Sequence, residues 1–455
     1  MASEIQQHGL TGIPEPSHEP PDIQAPLAQL GMQLFFTKAL SGNMDTACAS
    51  CHHPSLAGGD ALSLSVGVEA DIPDLLGPGR THSSGGTNFD GGPTVPRNAP
   101  STFNIVFYRH SIFLDGRIEL LADGTYRTPD SALGTEDPNA GDSLSAAQAR
   151  FPVTSREEMR GFSFESDGNN STAREQLALR LRGERPELPG SHWLAAFQQG
   201  FESPLGTAEE LITYDNIAAA LAAYQDSQLL VDNSWLAYLD GDLGAISDEA
   251  KQGALLFLRS PANGGAGCAS CHSGDFFSDE QFHVLAMPQV GRGKGNDNGE
   301  TTSDDFGRFR ETGMETDRYA FRTPTLLNVA TTGPWGHDGA YTTLEAVIRH
   351  HLDPQTAVDQ YDLNQLEASV QIGDWFANTR LALAQLQALR AAGASALPRV
   401  ELADTQIAQL QAFLNTLTDP CTSNRDCTGI WVPGESLSDP DGLRLSAVDI
   451  NGDPL

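Results

Sequence analysis

Cys48-Ala-Ser-Cys51-His52 recurs letter for letter as Cys268-Ala-Ser-Cys271-His272. Cys-x-x-Cys-His is the attachment signature of a c-type haem. The two thiols add across the vinyl groups, and the His that follows reaches the iron. A single copy would also suit a zinc or redox pair. Two identical copies, each closed by His, are hard to read that way. A shared zinc site would have to gather both pairs from distant parts of the chain and leave both histidines incidental. The sequence therefore predicts two covalent haems, held by Cys48, Cys51, Cys268 and Cys271, with His52 and His272 as proximal iron ligands.

Each motif follows an amphipathic stretch that ends in a glycine-containing loop. Pro26–Lys38 precedes the first. Ser247–Leu258 precedes the second, with Ser247 as N-cap and Ala250, Ala254, Phe257 and Leu258 on one helical face. Further helices are predicted at Thr172–Leu181, Thr207–Leu230, Thr343–His351, Tyr361–Arg390 and Asp404–Leu417. No run of strictly alternating strand pattern occurs. The expected fold is mainly α, with two cytochrome c-like haem domains and long connecting loops. The expected limits are a tail over 1–25, an N-terminal domain over 26–231, a C-terminal domain over 232–420 and a tail over 421–455. The stretch Thr125–Arg150 is polar and rich in Ala, Asp, Gly and Ser, so an inserted loop is expected over about 118–150.

A chain of 455 residues is too long for one core, which agrees with two domains. With 45 Gly and 27 Pro, much of it must run in turns. The net charge of −33 argues against nucleic acid and anionic membranes, and favours basic or polarised redox partners or simply solubility. No apolar run approaches the roughly 18 residues a membrane helix needs. Met1 to Asp22 has neither a basic nor an apolar region of a signal peptide. Haem attachment would make this the mature form of an exported, periplasmic protein. The third cysteine pair, Cys421 and Cys427, lacks a following His. A disulfide is the expectation and suits an oxidising compartment, with two free thiols as the alternative.

Five further blocks stand in order between the motifs and after them. They are Pro96-Arg97-Asn98-Ala99-Pro100, Phe113-Leu114-Asp115-Gly116-Arg117 and Phe151-Pro152-Val153-Thr154-Ser155-Arg156-Glu157-Glu158-Met159. In the second half they are Phe321-Arg322-Thr323-Pro324-Thr325-Leu326-Leu327-Asn328-Val329 and Gly333-Pro334-Trp335-Gly336-His337-Asp338-Gly339, the last followed by Thr343-Leu344-Glu345. With them the chain resembles the bacterial dihaem cytochrome c peroxidase family, MauG-type enzymes included, from about Pro26 to Pro420.

The resemblance implies a peroxidatic N-terminal haem at His52 and an electron-transfer haem at His272. It implies Glu158 as the distal acid–base group that moves a proton between the peroxide oxygens, with Gln148 as its helper. It also implies a calcium ion held by the Asn98 side chain and by the carbonyls of Thr332 and Pro334. The family's distal ligand on the second haem lies fourteen residues after the His of His-Asp-Gly. Counting from His337 reaches His351, where peroxidases carry Met and MauG carries Tyr. His350 is the neighbouring alternative, and its side chain points about 100° away. A second departure is Leu114, where the family usually has a Trp between the haems. Trp335 is a candidate substitute, or an ordinary packing residue. His82 is expected to face solvent, with haem ligation as the alternative. The implied activity is reduction of hydrogen peroxide with electrons from a small redox protein. A MauG-like oxidase acting on a protein substrate and a dihaem electron carrier are the alternatives. The oligomeric state stays open, a homodimer included.

Overall fold

The computed structural model describes residues 1–190, 192–295 and 303–455. The chain is mainly helical, with little strand. Two helix crossings set its frame. Helix Pro26–Phe36 packs on Tyr214–Asp226, and Asp248–Leu258 packs on Asp404–Asn415. Both crossings require glycine. A Cβ on Gly31 would lie 1.9 Å from the Ala220 carbonyl oxygen, and one on Gly253 would lie 1.8 Å from that of Gln409. The backbones therefore touch at these points, and the two Cys-x-x-Cys-His loops follow equivalent helices. Ser247 caps its helix as expected, its Oγ accepting from Ala250 N at 3.1 Å.

Two large hydrophobic cores correspond to the two crossings. The first gathers Leu34, Phe36, Trp193, Phe197, Leu221 and Tyr224. The second gathers Trp235, Phe257, Phe277, Leu410 and Phe413, and also takes in Ile105–Tyr108, Leu144 and Phe151 from the first half. The halves join at Leu230. Its N–H donates to the Asn104 side-chain oxygen, while its carbonyl accepts from the side-chain amides of both Asn104 and Asn328. Both asparagines are left-handed (φ 63° and 64°), a conformation Asn tolerates better than most residues.

Several expected elements differ. The helix expected over Thr207–Leu230 is two helices, Ala208–Leu211 and Tyr214–Asp226. Thr207 and Thr213 each cap a new start, so the cap signal overrides the continuous apolar pattern. The helix expected over Tyr361–Arg390 begins only at Trp375, beyond Gly373 and Asp374, and runs to Ala391. The stretch expected as an inserted loop carries strands Ile118–Leu120 and Tyr126–Arg127, which pair with Ser111–Ile112 ahead of it in an antiparallel sheet, and helix Leu144–Gln148. The end segments are docked rather than loose. Thr11 binds Asp275 and Glu4 pairs with Arg259. At the other end Leu445 N donates to Phe36 O, Leu76 N to Val448 O, and the Trp193 indole to Asp441. Residues 421–455 thus return to the first core, where Trp431 and Leu445 are buried. Cys421 and Cys427 are joined in a disulfide.

Candidate functional site

The two Cys-Ala-Ser-Cys-His segments fold alike. Each makes a 3₁₀ turn, Cys48–Ser50 and Cys268–Ser270, closed by the His N–H on the first Cys carbonyl (3.1 and 3.0 Å). In each, the His Nδ1 donates to a loop carbonyl: His52 to Gly58 at 3.2 Å and His272 to Phe277 at 3.0 Å. This is the outer-shell arrangement of a metal-bound imidazole. It fixes the ring and leaves the Nε2 lone pair for iron. Burial depresses both imidazoles, His272 to about 4, so each is neutral and able to ligate. Burial also pushes the Cys48, Cys51 and Cys268 thiols up to about 12.

What stands around the two motifs differs. At the first, a π-helical turn, Arg156–Arg160, brings Glu158 and Met159 against the attachment loop. The Met159 sulfur lies 3.9 Å from Cys48 Sγ. Gly67 anchors the turn from behind: a Cβ there would lie 2.4 Å from the Glu158 carbonyl oxygen, and Val68 N donates to Glu157 O. Burial raises the Glu158 carboxyl, and the charges of Arg117 and Lys294 oppose that rise. Lys294 is itself lowered by burial and by its arginine neighbours. Arg117 is held by Asp115, which also binds Arg97; Arg97 in turn forks onto Asp305 at 2.6 and 2.8 Å. A buried ion network thus joins the Glu158 side of the first half to the second half. Lys294 carried no sequence signal that would have singled it out, and Met159 stood in the Phe151–Met159 block without a role assigned to it. Gln148 ends its helix next to Phe151, and no hydrogen bond among the described residues ties its side chain to Glu158.

At the second motif, His351 faces His272 with ring centroids 6.5 Å apart. Two metal–imidazole bonds of about 2 Å each, with the ring radii, span such a gap. The His351 Nδ1 donates to the Val347 carbonyl at 2.8 Å, which leaves its Nε2 free as well. His350 is spent elsewhere. Its Nδ1 accepts from the Tyr341 hydroxyl at 2.7 Å, its Nε2 donates to Leu285 O at 2.9 Å, and it is fully buried. Cys268, Cys271, His272 and His351 line one cavity of about 290 Å³, whose surface is mostly apolar, as a porphyrin face requires. The residues of this site fit a haem c.

Asn98 of the first half and Thr332 and Pro334 of the second line the same cavity. The Asn98 amide donates to the carbonyls of Leu62 and Ser63 and its backbone N–H to His337 O, so its side-chain oxygen is turned away from those partners. Leu114 and Trp335 both line the cavity, and the Trp335 indole donates to Val329 O at 3.0 Å. His82 does not face solvent as expected. It is 5% exposed, stacked on Phe89 at 5.6 Å and close to Glu69, because its strand-like bridge to Ala70 turns the ring inward. Sequence reading also missed a His283–Asp279 pair (2.8 Å) beside Cys271.

The sequence profile of the family described as "Di-haem cytochrome c peroxidase" matches residues 25–243. Over these residues the chain matches this family of c-type haem proteins, and its curated relatives are MauG proteins and cytochrome c peroxidases. It is 29% identical to the methylamine utilization protein MauG of Methylorubrum extorquens, over 75% of this chain and 72% of that one. It is 27% identical to the cytochrome c551 peroxidase of Pseudomonas aeruginosa, over 70% of each. Among solved structures it shares its fold with a MauG-like protein associated with microbial copper homeostasis (TM-score 0.56, 22% identity, 94% of this chain and 97% of that one). It shares it also with the diheme peroxidase BthA from Burkholderia thailandensis (TM-score 0.55, 20% identity, 93% and 90%).

Proposed function

We propose that this chain is a di-haem peroxidase built of two cytochrome c-like units, reducing hydrogen peroxide at the His52 haem with electrons delivered through the His272 haem. The observation that carries this reading is the asymmetry between the motifs. A part-buried carboxylate stands by the first, and a second imidazole stands opposite the histidine of the other. When bound, the haems supply redox-active iron. The chain supplies the rest. His52 and His272 would each ligate one iron, and His351, facing His272, would ligate the second and close that site to small ligands. Glu158 takes a proton from one peroxide oxygen and returns it to the oxygen that leaves as water, and Gln148 assists from the preceding helix end. Burial keeps the Glu158 pKa raised, nearer to the range where it can both accept and give a proton. Overall, one peroxide, two electrons and two protons give two waters.

Asn98, Thr332 and Pro334, which line the same cavity, are the proposed calcium ligands. With Leu114 unable to carry a hole, Trp335, which lines that cavity too, is the proposed aromatic element between the sites. No described helix is long and apolar enough to cross a membrane. A periplasmic setting follows from haem c attachment and the disulfide. Because peroxidases of the family carry Met where His351 stands, a second reading is a MauG-like oxidase of a partner protein. Spectroscopy of the diferric holoprotein during rapid mixing with peroxide tests both. The peroxidase reading expects one six-coordinate low-spin haem, one haem open to ligands, and prompt return to the resting spectrum when a ferrous donor is present. Two closed haems with no response to peroxide would overturn it. An oxidised state that persists until a protein side chain is modified would favour the second reading.

A further inference from the structure

We infer that an aromatic relay of His350, Tyr341, Tyr361 and Trp375 carries electrons from a protein donor at the surface to the His351 side of the second haem. This rests on the proposed function and deepens it by naming the entry point. The rings follow one another without a break. His351 to His350 is 6.4 Å between centroids, His350 to Tyr341 5.3 Å, Tyr341 to Tyr361 5.4 Å, and Tyr361 to Trp375 5.2 Å. Trp375 in turn touches Phe376 at 5.4 Å, and Phe376 is 47% exposed. All of these spacings are direct aromatic contacts. Electron tunnelling falls off exponentially with distance, so a series of short hops between oxidisable rings outruns one long step through aliphatic core. Tyr and Trp are the side chains best able to hold a hole, and three of them stand in succession beyond His350.

The hydrogen bonds along the relay fit the proton bookkeeping. His350 donates from Nε2 to Leu285 O, which leaves the Nδ1 lone pair facing the Tyr341 hydroxyl at 2.7 Å. Tyr341 passes one electron toward the His351 side and is restored by one electron arriving from Trp375 through Tyr361, its phenolic proton staying within the hydrogen bond to His350 Nδ1 throughout. Trp375, left one electron short, takes it from the donor, and two passes supply the two electrons of each peroxide. The Tyr361 hydroxyl donates to the Ala340 carbonyl, which cannot take a proton. Tyr361 therefore keeps its proton and serves as the bridging ring. At the mouth, Ile372 and Phe376 are exposed beside Asp374, the Arg380 that lies over Phe376 is paired with Asp359, and the chain's net charge of −33 suits a basic redox protein.

The test uses the holoprotein treated with peroxide in the absence of donor, followed by peptide mass spectrometry and electron paramagnetic resonance. Oxidation marks are expected on Trp375, together with a protein-radical signal. Tyr341→Phe, and independently Tyr361→Leu, which leaves His350 untouched, are expected to lower the Trp375 mark several-fold while the haem spectra stay as in the wild type. In Trp375→Phe, reduction of the peroxide-treated protein by a basic ferrous cytochrome c is expected to slow several-fold. Equal marking of Trp375 in wild type and both tyrosine variants means attack from solution and overturns the relay, as does an unmarked Trp375 in a protein whose haems respond to peroxide. Haems that do not respond to peroxide overturn the proposed function as well.

Discussion

The two halves of this protein begin from the same five residues and the same glycine-tight helix crossing, yet they finish them differently. Around His52 the chain lays down a widened turn with Glu158 and Met159, sealed against Gly67. Around His272 it lays down a regular helix, Leu344–Leu352, that points His351 back at the proximal ring. The attachment motif fixes where a haem sits. The element that arrives from far along the chain fixes what can reach it. A carboxylate beside one site suits proton transfer, and an imidazole opposite the other suits a closed, electron-carrying site whose potential is lower than a His/Met site would give.

Glu158→Gln removes the proposed proton carrier and should break the comparison most sharply. The amide keeps the shape, so both haem spectra should stay near normal while peroxide turnover falls by about 10²–10⁴. In the wild type, peroxide reactivity should be lost on acidification at a higher pH than an ordinary Glu of about 4.3 would give, because burial raises this carboxyl and the carboxylate is the form that accepts the proton. A stopped-flow pH profile checks both, and an unaltered rate in the variant would remove Glu158 from the role.

His351→Ala should make the second site resemble the first, opening it to cyanide and converting its low-spin signal. His350→Ala should leave that signal low-spin. It should instead cost stability of about 1–3 kcal/mol, since the buried Tyr341 hydroxyl and Leu285 carbonyl lose their partner. If the spin state follows His350 instead, the two histidines have been assigned the wrong way round.

The network that ties the halves together gives a further test. Arg97→Met leaves Asp115 and Asp305 buried without their shared cation, and thermal unfolding should show a loss of about 3–5 kcal/mol. Arg117 and Arg97 hold Asp115, and Arg97 holds Asp305, below the usual carboxylate range. Their contribution is therefore complete above the unfolded value of about 3.9 and is lost as pH falls toward the depressed folded values. Melting curves should lose stability on acidification below about pH 4, and that acid dependence should shrink in Arg97→Met. The smallest effect should come from Cys421→Ala with Cys427→Ala. The closed loop is short, so chain entropy predicts a cost of about 2 kcal/mol, visible as a lower melting temperature. Because this segment returns to the first core, the loss should weaken the His52 half more than the His272 half, as hydrogen exchange in the two halves would report.

The amino-acid sequence alone determined the local chemistry. The duplicated Cys-Ala-Ser-Cys-His names the attachment points, because that motif's meaning lies in covalent spacing, while His351 was implied by the family resemblance through the count from His337. Ser247 as a cap and the helix ahead of each motif are likewise local signals. The π-turn that presents Glu158, the break at Thr213, the late start at Trp375 and the burial of His82 were decided only by the tertiary structure. The same is true of the return of residues 421–455 to the first core, the Arg97–Asp305 link and the file of rings from His350 to Trp375. Each of these depends on groups far apart in sequence being brought into contact, and neither periodicity nor composition records which distant backbone a glycine touches or which ring a tyrosine meets.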